Sequence, residues 1–86
     1  MDDLTRVKRL ASYYKKKCGT DDPFEIANQL GMLYQIGNYK HEGYYMFLKN
    51  QRYIFLSNQL DHEELRLVMA HELGHALLDR KANYYN

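Results

Sequence analysis

Asp61-His62-Glu63-Glu64-Leu65-Arg66-Leu67-Val68-Met69-Ala70-His71-Glu72-Leu73-Gly74-His75-Ala76-Leu77-Leu78 is the stretch that decides the fold. Asp61 and Glu64 have the spacing of a capping box, in which each side chain bonds the other residue's backbone N–H. Glu63 adds a second negative charge to the first turn, where the helix dipole favours it. From Leu65 onward, Leu67, Val68, Met69, Ala70, Leu73, Ala76, Leu77 and Leu78 spread apolar surface around most of the circumference. The spacing predicts one helix over 61–80, buried on several sides. Two imidazoles and a carboxylate interrupt that surface, and polar groups in such a helix need partners.

His71 and His75 are four residues apart, so a helix places both imidazoles on one face, one turn apart. Two neutral imidazoles so placed can bind one zinc ion at about 2.0–2.1 Å each. Glu72 lies next to His71 around the helix. In metallopeptidases of the H-E-x-x-H pattern this glutamate is not a ligand; it takes a proton from the water that the metal activates and passes it to the leaving amine. Gly74 removes a side chain between the two histidines, which would let a strand or a second helix approach. It costs up to about 1 kcal/mol of helix stability relative to alanine, so packing or access must explain it. The bland alternative is a pair of satisfied core histidines. Chance matches to the five-residue pattern arise on the order of once in a hundred chains or fewer, and the mid-helix placement favours the metal site.

Upstream, Leu4, Val7, Leu10, Ala11, Tyr14 and Cys18 recur at helical spacing, and Gly19 is positioned to cap that helix. Asp22 can cap a second helix, Pro23 suits its first position, and Glu25 has the spacing to close a capping box. Phe24, Ala27 and Leu30 give this helix an apolar side, and Gly31 ends it. Met32 to Ile36, Tyr44 to Leu48 and Tyr53 to Leu56 read as strands. The polar link Lys49-Asn50-Gln51-Arg52 predicts an antiparallel hairpin between the second and third. The expected fold is α+β, in the order α-α-β-β-β-α, with the histidine motif on the last helix.

Composition excludes several classes. Of the 86 residues, 45% are hydrophobic and 27% charged, as in an ordinary globular domain rather than a disordered chain. Twelve basic side chains balance eleven acidic ones, for a net charge of +1, so no overall field draws nucleic acid or an anionic membrane. The basic residues of the first helix, Arg6, Lys8, Arg9, Lys15, Lys16 and Lys17, form no single stripe and read as a solvated face. Residues 23–32 resemble the opening of a helix-turn-helix, but a strand rather than a recognition helix is predicted next. Cys18 is the lone cysteine, so no internal disulfide can form, and it reads as a packing residue at a helix end. The acidic start Met1-Asp2-Asp3-Leu4 lacks the basic and apolar regions of a signal peptide, and no apolar run is long enough for a bilayer. A cytoplasmic location is expected. The nine tyrosines suit half-buried sheet positions with wet hydroxyls. An exposed edge of the tyrosine-rich hairpin is also able to hold an extended peptide by strand addition.

Three stretches resemble the ImmA/IrrE family of metallopeptidases of bacteria, phages and mobile elements. They are Asp22-Pro23-Phe24-Glu25-Ile26-Ala27-Asn28-Gln29-Leu30-Gly31; Gly43-Tyr44-Tyr45 through Tyr53-Ile54-Phe55-Leu56-Ser57-Asn58; and Met69-Ala70-His71-Glu72-Leu73-Gly74-His75-Ala76-Leu77-Leu78, the most specific. The resemblance implies a zincin-like fold, zinc as cofactor, His71 and His75 as ligands and Glu72 as the catalytic glutamate. It also implies a zinc-dependent endopeptidase whose substrate is a helix-turn-helix repressor, without direct binding of nucleic acid or membrane.

One departure stands out. The family's third ligand lies on a later helix, and eleven residues follow His75 here. Asp79 is the sole carboxylate side chain among them. It shares the histidines' face but sits about 6 Å further along the axis, out of reach of a metal held by both. His41 and His62 are the remaining imidazoles that could contribute. Residues 1–86 therefore read as a single domain, the N-terminal part of a longer metallopeptidase domain, and as inactive in this form. Two rivals follow: a truncated, catalytically silent module that binds the repressor, and a DNA-binding protein.

Overall fold

Pro23 and the caps around it explain how the helical half of the chain is punctuated. The computed structural model describes residues 3–78 and 84–85. Helix α1 runs Asp3–Cys18 and ends at Gly19, whose φ of +70° is a conformation glycine adopts without strain. The N–H groups of Gly19 and Thr20 both reach the Lys15 carbonyl, satisfying the helix end. Helix α2, Pro23–Gln29, is capped by Asp22, whose Oδ1 accepts from the Phe24 N–H at 3.0 Å. The expected box with Glu25 does not close. The Asp22 N–H donates instead to the Thr20 hydroxyl, and Glu25 Oε1 accepts from the Gln29 side chain. Thr20, two residues upstream, competes for the same donor.

Strand β1, Leu33–Gly37, follows α2 directly, so no recognition helix is formed there. Strands β2, Gly43–Leu48, and β3, Gln51–Ser57, pair antiparallel as expected. The expected four-residue link is shorter. Leu48 pairs with Gln51, and the turn is Lys49-Asn50, with φ of 51° and 62°. A two-residue turn with both residues left-handed matches the twist of a hairpin, which lets Gln51 and Arg52 join the ladder. β3 is central: β1 pairs with it in parallel, giving the order β1-β3-β2-β4. Strand β4, Tyr84–Tyr85, is an addition to the expected order and pairs with Tyr44 and Tyr45 of β2.

Helix α3, His62–Leu78, lies across one face of β2 and β3. Its capping box is closed in both directions: Glu64 N–H to Asp61 at 2.8 Å, and Asp61 N–H to Glu64 at 3.0 Å. Residues 79–80 of the expected helix lie outside the described residues. Tyr45, Ile54 and Leu56 are fully buried beneath Met69, Glu72, Leu73 and Ala76, with Ile26, Ala27 and Met32 completing the core. Burial on more than one side agrees with expectation, but one side stays open: Leu67 is 71% exposed and Ala70 and His71 are also exposed. The sheet covers one face of α3, while α1 and α2 cover another, leaving the Leu67–His71 side open. Strand alternation sends Tyr45 inward and Tyr44 and Tyr53 to the other face, where both rings lie against Phe55. Tyr45, fully buried, departs from the half-buried role expected of the tyrosines. No helix among the described residues is long and apolar enough to cross a membrane.

Candidate metal centre

One continuous helix carries His71, Glu72 and His75, so their relation is fixed by helical geometry. The two Nε2 atoms stand 3.0 Å apart, with ring centroids 4.5 Å apart and ring planes at 88°. One Nε2 donates and the other accepts, according to tautomer. Two nitrogens bound to one tetrahedral zinc at about 2.05 Å would stand about 3.3 Å apart. The imidazole pair therefore fits as two ligands of one ion with little movement. His71 is exposed and His75 half-buried, so the pair faces solvent at one side. Burial, and then the charge of His71, lower the pKa of His75 from its ordinary 6.5, which favours the neutral form a ligand needs.

Glu72, next to His71 on the helix, is buried in the protein. It is 0% exposed, and neither carboxylate oxygen has a hydrogen-bond partner among the described residues. Burial pushes its pKa from 4.5 up to about 7. The strand beneath it makes this burial possible. A Cβ on Gly43 would meet Val68 Cγ1 at 2.6 Å, Glu72 Cγ at 3.3 Å and Leu56 Cδ2 at 3.4 Å. Only a residue without a side chain lets β2 come this close to α3. Gly43 is a second such glycine, which the helix pattern around Gly74 does not reveal. The available signal was a glycine opening a strand, which often marks close backbone approach. Gly74 lines an apolar cavity of about 80 Å³ with Leu10 and Tyr14 of α1 and Ile26 of α2.

Beside His71 an open cleft is bounded by Glu42, Leu67 and Val68. Among the described residues, no three His, Cys, Asp or Glu side chains are grouped to hold a metal ion, so His41 and His62 do not join His71 and His75 in such a set. Asp79 lies outside the described residues.

Residues 27–86 match the family model described as the IrrE N-terminal-like domain, Peptidase_M78. A relative in Bacillus phage phi105, named "Uncharacterized immunity region protein 2", is 35% identical over 81 residues. The match covers 92% of this chain and 51% of the relative, so the chain spans about half the length of the curated relative it matches. No solved structure matches the chain.

Proposed function

The chain belongs to the Peptidase_M78 family of IrrE N-terminal-like domains, and on that premise we propose that it carries the metal-binding helix of a zinc-dependent endopeptidase. The observation that carries this reading is Glu72: a fully buried carboxyl, without a protein partner among the described residues, next in the chain to an imidazole pair 3.0 Å apart. An orphaned buried carboxyl is costly, and structural roles usually satisfy it. A proton acceptor must instead keep its oxygens available.

His71 and His75 would hold the ion, and the fold is read as zincin-like on the same grounds. Zinc, when bound there, supplies Lewis-acid polarisation of the scissile carbonyl and of water. Glu72 takes the proton of the attacking water and returns it to the departing amine, so water is consumed and two peptide ends result. A pKa near 7 suits both directions of that transfer at neutral pH. Gly43 keeps β2 close to Glu72 and helps hold the carboxyl in place. A third ligand is expected from outside the described residues, where the family resemblance puts it on a later helix.

The proposed substrate is a helix-turn-helix repressor of a phage or mobile element, cleaved in the cytoplasm. The family and the immunity-region name of the phage relative support this choice. A second reading is a silent module that binds the repressor without cutting it; the lack of a three-ligand group among the described residues favours it. Incubating zinc, a candidate repressor and either the 86-residue chain or a longer natural form separates the two. Repressor fragments from the longer form alone support the peptidase reading, with the 86 residues as its incomplete part. Binding without fragments from either form supports the silent module.

A further inference from the structure

We propose that the cleft beside His71 is a subsite for a basic side chain, lysine or arginine, of an extended peptide; the proposal rests on the peptidase reading above. The cleft has a volume of about 260 Å³ and is lined by Glu42, Leu67, Val68 and His71. Leu67 lies one turn before His71 on the same helix face and is 71% exposed, more than any other large hydrophobic residue among the described ones. Val68 adds half-buried apolar surface beside it. The carboxylate of Glu42 is exposed and makes no hydrogen bond or ion pair among the described residues.

The backbone that carries Glu42 is nonetheless anchored. Its carbonyl accepts from the Ser57 N–H at 2.8 Å, and the next residue, Gly43, is pressed against Val68 and Glu72. The cleft thus combines an apolar wall with an acidic rim, carried on an anchored stretch of backbone, beside the imidazole pair. Lysine and arginine match both parts, because their methylene stems pack on apolar surface while the cation stays at the wet rim. An acidic side chain would meet Glu42 with like charge, and a purely aliphatic one would leave the carboxylate unused.

The test follows binding, not cleavage. Capped pentapeptides of alanine, with lysine, arginine, glutamine or glutamate at the centre, are titrated at neutral pH into the ¹⁵N-labelled chain without metal. The amide shifts of Glu42, Leu67, Val68 and His71 report the site. The lysine and arginine peptides should bind roughly two- to five-fold more tightly than the glutamine peptide, the range of an exposed ion pair, and the glutamate peptide more weakly still. Glu42→Gln should level the series, and Glu42→Lys should reverse it. Equal binding of the lysine and glutamate peptides, or a basic preference that survives Glu42→Gln, would overturn the proposal. Zinc titration gives a second check: Glu42→Gln should leave zinc binding unchanged, and a loss would make Glu42 a metal ligand instead. Preference for basic peptides with no cleavage by any form would retain the subsite and count against the peptidase reading. Cleavage indifferent to basic residues would do the reverse.

Discussion

Gly43 and Glu72 touch across the interface of β2 and α3: a Cβ on Gly43 would stand 3.3 Å from Glu72 Cγ. The one buried carboxyl among the described residues is therefore packed beside a glycine, the kind of residue that leaves it room. Strand, helix and proposed base form one mechanical unit.

Gly43→Ala tests that unit. The new methyl group would lie 2.6 Å from Val68 Cγ1, closer than packed atoms approach. Overpacking of this kind costs about 1–3 kcal/mol. The gain from a stiffer unfolded chain, about 0.4–1 kcal/mol, is smaller. Urea denaturation should show a net loss, and Val68→Ala in the same chain should recover part of it, because the two sites couple through direct contact. A Gly43→Ala variant as stable as the parent would show that β2 shifts freely.

Much of this arrangement is legible in the sequence, because local rules set it. The Asp61–Glu64 box, Pro23 and the histidine spacing each act within four residues, and the structure places those features where the pattern predicts. What was missed depends on distant partners. The clearance at Gly43 is set by Val68, 25 positions away, and β4 pairs with a strand some forty residues earlier. The open side of α3 is also hidden from the sequence, since Leu67 and Leu73 look alike in a hydrophobic pattern but only Leu73 meets the core. Of the site, the imidazole pair is readable from spacing alone, whereas the orphaned burial of Glu72 emerges only when sheet and helices close around it.

The capping box carries a measurable share of stability. Asp61→Ala removes the acceptor of the 2.8 Å bond from the Glu64 N–H and leaves the first turn of α3 less satisfied. A loss of about 1 kcal/mol is expected, within the usual range of about 0.5–2 kcal/mol for such caps. Thermal and urea unfolding of the variant check it, and no change would place the helix start elsewhere.

Glu72 makes the metal-free chain less stable as pH rises. The unfolded chain releases this proton near 4.5, whereas the folded chain keeps it to about 7. Between those values the folded state binds more protons, so stability falls with increasing pH. The full loss is on the order of 3 kcal/mol. His75 acts in the opposite sense. Its folded pKa lies below 6.5, so its contribution is present above that value and lost as pH falls through the lowered one. Comparing the parent with Glu72→Gln across pH 4 to 8, at roughly one-unit steps, separates the two effects. The variant should lack the decline, with the difference growing from about pH 4.5 to 7. A parallel pair of curves would show that Glu72 is not desolvated.

Zinc should bind the 86-residue chain weakly, at roughly micromolar affinity or worse, because a catalytic site usually has three protein ligands and the described residues offer two. Calorimetry near neutral pH should show this binding lost in His75→Ala. Nanomolar binding by the parent would reveal a further ligand.

We propose Glu72 as the proton acceptor of a metallopeptidase. The most direct test is mass spectrometry of a helix-turn-helix repressor after incubation with a zinc-loaded longer form, as parent and as Glu72→Gln. The parent should release two fragments whose masses sum to the repressor plus one water. Glutamine keeps the shape of glutamate but cannot take the proton, so the variant should retain zinc and produce no fragments. Fragments from Glu72→Gln at the parent's rate, or none from the zinc-loaded parent, would show that Glu72 is not that acceptor.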